Sequence, residues 1–87
     1  MKEFKDLEFK DLPDYRGIQC RIMFENGFGA SVIRHEHTYG GKDGLYELAV
    51  LDADGEIHYD NSVANGDVHG YLTEVDVTEL LKEIQNL

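Results

Sequence analysis

Tryptophan is absent, proline and cysteine occur once each, and no apolar run approaches the roughly 18 residues of a membrane-spanning helix. The lone Cys20 excludes a disulfide within these 87 residues and suits a reducing compartment. The first 15 residues alternate charge with Phe and Leu, so no secretory signal is expected. The expected location is the cytoplasm of whichever cell makes or hosts the protein. Paired-cysteine, Gly-x-Ser-x-Gly, P-loop and dinucleotide-binding motifs are all missing, so no cofactor is expected.

Positive charge is nearly missing from one half of the chain. Residues 43–87 contain a single base, Lys82, against eleven acids. Residues 1–42 balance seven bases against seven acids, so the net charge of −10 falls entirely in the second half. Phosphates need cations, so direct binding to nucleic acid is disfavoured. A basic protein surface would be attracted.

What is present suffices for one small domain. Forty-one percent apolar residues can supply a thin core, and 30% charged residues suit a soluble surface. The N-terminal segment, 1–16, carries a tandem repeat, EFKDL at 3–7 and again at 8–12. Leu7 and Phe9 lie two apart, so a short strand there would turn both inward. Pro13-Asp14 reads as a turn.

Residues 18–24, IQCRIMF, alternate in polarity as a half-buried strand does. Asn26-Gly27 predicts a two-residue type I′ turn, with a return strand over 28–37. That turn sets a register in which Phe24 faces Gly29, Ile22 faces Ser31, Cys20 faces Ile33 and Ile18 faces His35. His35 and His37 then continue the apolar face. Three glycines make 38–44 a connection, and the nearly all-apolar LYELAVL, 45–51, reads as a strand covered on both faces. A turn with a bulge at Gly55 follows, then a fourth strand over 56–60. Residues 61–72 read as loop, with Asn65-Gly66 as a further tight turn.

Residues 73–86 predict a helix. Thr73 is its N-cap and Asp76 completes a capping box. Leu72 and Val77 form a hydrophobic staple, and Val77, Leu80, Leu81 and Ile84 make one buried stripe. The expected fold is α+β: an antiparallel four-stranded meander, with room for a short extra N-terminal strand, and one C-terminal helix packed on the sheet. A curved partial barrel plugged by the helix fits the same pattern.

Three groups of residues could carry chemistry. His35-Glu36-His37 has a real metal-ligand spacing, but no register brings a third ligand near, so no metal site is expected. Cys20 and His35 share a face in the predicted register, which would suit a nucleophile and base. Cys20 lies mid-strand in an apolar alternation, where an inert thiol belongs. Asp52-Ala53-Asp54-Gly55-Glu56 opens like a calcium loop, but a calcium loop's glycine and final glutamate would fall at Ile57 and Val63. The remaining acids, Asp43, Glu47, Asp52, Asp54, Glu56, Asp60 and Asp67, flank one predicted hairpin with Tyr59. Acids beside tyrosine compose a usable interface.

The series NGFGASVIRH…TYGGKDGLYELAVLD…G…YD…GYLTEVDVTELLKEI resembles small, acidic, single-domain proteins encoded by bacteriophages and prophages. The resemblance implies a protein that blocks host defence or host enzymes by occupying a nucleic-acid site or a protein interface. It assigns no residue.

The expected function is therefore a non-enzymatic acidic binding module, of the phage-inhibitor type, docking its C-terminal half on a basic host protein. One alternative is a metal protein or small enzyme using His35, His37 and Cys20. Another is a structural homo-oligomer assembled through an exposed strand edge.

Overall fold

A computed structural model describes residues 1–14 and 16–87. Its sheet is antiparallel and five-stranded, in the order β1 (Lys10–Leu12), β2 (Gly17–Met23), β3 (Gly29–Arg34), β4 (Tyr46–Leu51) and β5 (His69–Leu72). One helix, α1 (Glu74–Gln85), follows and packs against β3, β4 and β5. The expected α+β fold, an antiparallel sheet followed by one C-terminal helix, is thus present, but the extra N-terminal strand is Lys10–Leu12, beyond the Leu7 and Phe9 expected to form it.

The core lies between α1 and one face of the sheet. Val77, Leu81 and Ile84 from the helix meet Ala30 and Val32 of β3, Tyr46, Leu48 and Val50 of β4, and Leu72 of β5. The helix forms where its sequence said it would. The Thr73 side chain accepts a hydrogen bond from Asp76 N at 3.1 Å, and Asp76 Oδ2 accepts one from Thr73 N at 3.0 Å. Both satisfy backbone donors that a helix start leaves without partners.

Losing the Thr73 hydroxyl should cost about 1 kcal/mol of stability at neutral pH, the usual worth of an N-cap. Hydrogen bonds from the Thr73 backbone and then its side chain hold the Asp76 carboxyl below its ordinary pKa. A depressed carboxyl contributes stability that is fully present above its ordinary unfolded value and is lost as pH falls through the lower folded value. The stability gap between wild type and Thr73→Ala, measured by urea unfolding, should therefore narrow in acid. A gap that widens there would contradict the assignment.

The β2–β3 turn differs from its prediction. Phe24 N donates to Phe28 O at 2.8 Å and Gly27 N to Phe24 O at 3.2 Å, which encloses three residues rather than two. Gly27 alone takes a positive φ, +89°. The reason lies in the Asn26 side chain. Its Nδ2 donates to Ile84 O at 2.8 Å, filling a carbonyl near the helix C-terminus, and its Oδ1 accepts from Phe28 N at 3.1 Å. Asn26 is spent on tying the turn to the helix and does not enter the left-handed region.

One extra loop residue slips the register by one, and a one-residue slip exchanges the faces of the return strand. Ile18 pairs with Arg34, Cys20 with Val32 and Ile22 with Ala30. Ser31 and Ile33 turn to the helix-free face, where Gln19 Nε2 donates to Ser31 Oγ at 3.0 Å. The predicted facing of Cys20 with Ile33 and of Ile18 with His35 is thereby overturned. Strand β3 ends at Arg34, and the chain turns at His35, whose carbonyl accepts from Thr38 N at 3.1 Å. Arg34 takes the core-side place instead, 4.9 Å over the Tyr46 ring, with Nη1 donating to the Tyr46 hydroxyl at 3.1 Å.

The predicted strand over 56–60 is also absent. The turn after β4 closes as expected, with Gly55 at φ +78° and Gly55 N donating to Asp52 O at 2.9 Å. Pairing then stops after the single bridge Leu51–Ile57 and a bond from His58 N to Val50 O at 2.8 Å. Asn61 bends the chain away. Its Oδ1 accepts from Val63 N and Ala64 N at 3.0 and 2.7 Å, and its Nδ2 donates to His58 O at 3.1 Å. That bend delivers Val63 and Ala64 to the core. The edge of β4 at Tyr46 and Leu48 is taken by β5, inside the stretch expected to be loop. Asn65-Gly66 forms the expected tight turn, with φ of +50° and +87°.

The two EFKDL copies fold differently. The first forms a single-turn 3-10 helix, Phe4–Asp6, and the second contributes β1. Phe4 and Phe9 hold the same place in the two copies, and both pack on Tyr46, with ring centroids 5.1 and 5.7 Å away. The first copy is held to α1 by Phe4 N donating to Thr78 Oγ1 at 3.0 Å. An ion pair between Glu3 and Lys82 at 3.8 Å adds to this.

Candidate functional site

The acids singled out by sequence occupy the two ends of β4 rather than one patch. Asp43 lies in a 3-10 turn, Gly41–Asp43, before the strand, and Glu47 lies near its start. Asp52, Asp54 and Glu56 lie in the turn beyond its end. A six-residue strand, at ~3.4 Å per residue, separates the two groups by about 20 Å. Asp60 and Asp67 lie on the connection to β5 with Tyr59, which is 46% exposed.

Asp52 and Asp67 each serve the backbone of their own turn. Asp52 Oδ1 accepts from Asp54 N at 2.9 Å and from Glu56 N at 3.1 Å, which shapes its turn. Asp67 Oδ1 accepts from Val68 N at 2.7 Å. Asp54, Glu56 and Asp60 are exposed. Arg21, on the helix-free face of β2, donates from Nη2 to Gly55 O and so brings one cation to the turn.

Neither the metal site nor the cysteine pair is assembled. His37 N donates to His35 Nδ1 at 3.0 Å, so the loop backbone itself uses one His35 ring nitrogen. His58 is turned to Asn61, and His69 Nε2 lies 2.7 Å from Val63 O. Among the described residues, no group of three or more His, Cys, Asp or Glu is placed to hold a metal ion. Cys20 is buried beside Val32, away from His35, and burial pushes its thiol pKa up. A protonated thiol is a poor nucleophile. No described helix is long and apolar enough to cross a membrane.

A different pair of residues is built with more care. Tyr39, on the loop after β3, and Tyr71, on β5, are 60% and 62% exposed. Their ring centroids are 6.2 Å apart, with planes tilted by 31°. Tyr71 N donates to Tyr39 O at 3.1 Å. Glycines make the approach possible. A Cβ on Gly70 would stand 2.5 Å from the Tyr39 Cβ, and one on Gly40 would stand 3.0 Å from the Tyr71 Cα. Gly40 itself has φ +85°, a conformation that L side chains rarely adopt.

Tyr71 also has a positive φ, +57°. A bulky aromatic in that region costs on the order of 1–3 kcal/mol, and such strain gathers at sites that use it. The strain coincides with the irregular pairing of β5 between Tyr46 and Leu48. Glu47 stands beside the pair, its Oε1 accepting from Tyr39 N at 3.5 Å. Periodicity gave no sign of this arrangement, because Tyr39 and Tyr71 are 32 residues apart. The sequence signal was the glycine beside each tyrosine: Gly40 after Tyr39 and Gly70 before Tyr71.

No family model matches the chain, and no curated protein or solved structure matches it either.

Proposed function

We propose that the protein is a non-enzymatic binding module that docks its acidic C-terminal half on a basic protein surface. One observation carries the reading: eleven acids against one base in residues 43–87, with that base, Lys82, drawn to Glu3 of the other half. The exposed Asp54, Glu56 and Asp60, and Asp43 and Glu47 at the far end of β4, are its candidate contacts. The resemblance to phage-encoded proteins supports a host protein as the partner and inhibition in the host cytoplasm as the outcome.

The edges of the sheet favour this reading over assembly by strand addition. Strand β1 has three residues and β5 four, with a pairing irregularity between β4 and β5. Short, interrupted edges are poor templates for a second chain. The separation of His35 from Cys20 likewise favours binding over nucleophilic catalysis.

The test is capture from a bacterial lysate on the immobilised protein, with release by a salt gradient. Charge-steered contacts weaken as the Debye length falls from ~10 Å at ~0.1 M salt to ~3 Å at ~1 M. Bound proteins should be basic and leave with salt. They should be retained several-fold less by the triple variant Asp54→Asn, Glu56→Gln, Asp60→Asn and by Glu47→Gln together. Retention indifferent to both salt and these substitutions would overturn the reading.

A further inference from the structure

We infer that the Tyr39–Tyr71 pair, with Glu47, is a recognition site for an arginine side chain presented by the protein's partner. The inference rests on the acidic-docking reading and gives it a focal point. Three observations converge on it.

The first is the exposure of two large rings side by side, 60% and 62% open to solvent. The face of an aromatic ring carries negative potential, and a cation over it is attracted. A guanidinium is flat as well as charged, so it stacks where an ammonium only approaches. The 31° tilt of the two planes leaves a wedge of ring surface rather than a closed stack.

The second is the carboxylate of Glu47, fixed next to the Tyr39 backbone. It supplies the acceptor that a guanidinium fork bonds in two places. Charged and titratable groups on the elements around the pair are His35, Glu36, His37, Lys42 and Asp43 on the loop, Glu47 on β4, His69 on β5, and Glu74 and Asp76 at the start of α1, with Arg34 at the end of β3 turned to Tyr46. Carboxylates outnumber cations on these elements, and Glu47 is the one in direct contact with the pair, so the surroundings favour a cation.

The third is the cost the fold bears to hold Tyr71 there. Glycine would suit φ +57° without strain, yet a tyrosine occupies it, wedged against Gly40 and bonded to the Tyr39 carbonyl. That strain has no counterpart in core packing, since Tyr71 is among the most exposed apolar residues of the sheet. Retaining the ring serves the surface rather than the fold.

The experiment is an NMR titration with a short peptide alternating glycine and arginine, run beside its lysine counterpart. The Tyr39 and Tyr71 ring signals should shift and saturate, with the arginine peptide binding at least about threefold tighter than the lysine one. Tyr71→Gly should keep or raise the thermal midpoint while weakening the arginine peptide at least about threefold. Glu47→Gln should weaken it too. Affinity unaffected by both substitutions would overturn the inference. So would unmoved tyrosine rings alongside shifts at Asp54, Glu56 and Asp60, an outcome that leaves the acidic-docking reading standing. No response to either peptide would overturn both.

Discussion

Leu81→Ala is expected to lower the unfolding free energy by about 2–5 kcal/mol, the range for deleting a buried leucine. Leu81 has no exposed surface and sits between Val77 and Ile84 on the helical stripe that covers β3 and β4. Its neighbours across the interface are strand residues held by the sheet ladder, so the void cannot close by local collapse. A domain of 87 residues has a total stability of roughly 4–13 kcal/mol, so this one change removes a large share. Urea unfolding of Leu81→Ala beside Val75→Ala is the check. Val75 is 70% exposed on the same helix, and its truncation should move the midpoint little. Equal losses at the two positions would mean that α1 presents a different face to the sheet.

Gly41→Ala should be the most damaging change in the loop between β3 and β4. A Cβ at Gly41 would run into the His35 carbonyl and stand 2.6 Å from Thr38 Oγ1. Neither neighbour can give way freely. The Thr38 hydroxyl donates to His35 O at 2.9 Å, and Gly41 N donates to Thr38 O at 3.0 Å. The loop must open, at a cost of about 1–3 kcal/mol or more, as for other forced overpacking. Tyr39 lies inside that loop, so it should leave Tyr71. The readout is twofold: a lowered unfolding midpoint, and loss of the nuclear Overhauser contact between the two tyrosine rings. A normal midpoint with the ring contact intact would contradict the packing described for Gly41.

What the sequence disclosed and what it withheld divide along a physical line. The helix was legible to its capping box because capping chemistry is local: Thr73 and Asp76 satisfy each other within one turn. The alternation over 18–24 gave β2 for the same reason. The β2–β3 register differs from the one the turn predicts because it hangs on Asn26, whose side chain is claimed by a carbonyl 58 residues away. No local rule for Asn-Gly turns contains that bond.

The displaced strand has a similar origin. Residues 56–60 have a strand's pattern, but they share the free edge of β4 with His69–Leu72, which pairs at Tyr46 and Leu48, so they keep only the bridge at Leu51 before Val63 and Ala64 are drawn into the core. The tyrosine pair was legible only as composition, tyrosines among acids. Its geometry depends on two backbones meeting at glycines, and pattern reading does not see that.

The repeat at the N-terminus bears on how position and identity relate in this chain. Removing residues 3–7 and removing residues 8–12 yield one and the same polypeptide, since the two pentapeptides are identical. The shortened chain has no memory of which copy was lost. Its surviving EFKDL must choose between two vacancies, a coil against Thr78 on the helix and a rung beside β2 at the sheet edge. The choice is a competition between two addresses for a single word, and its outcome ranks them with composition held constant.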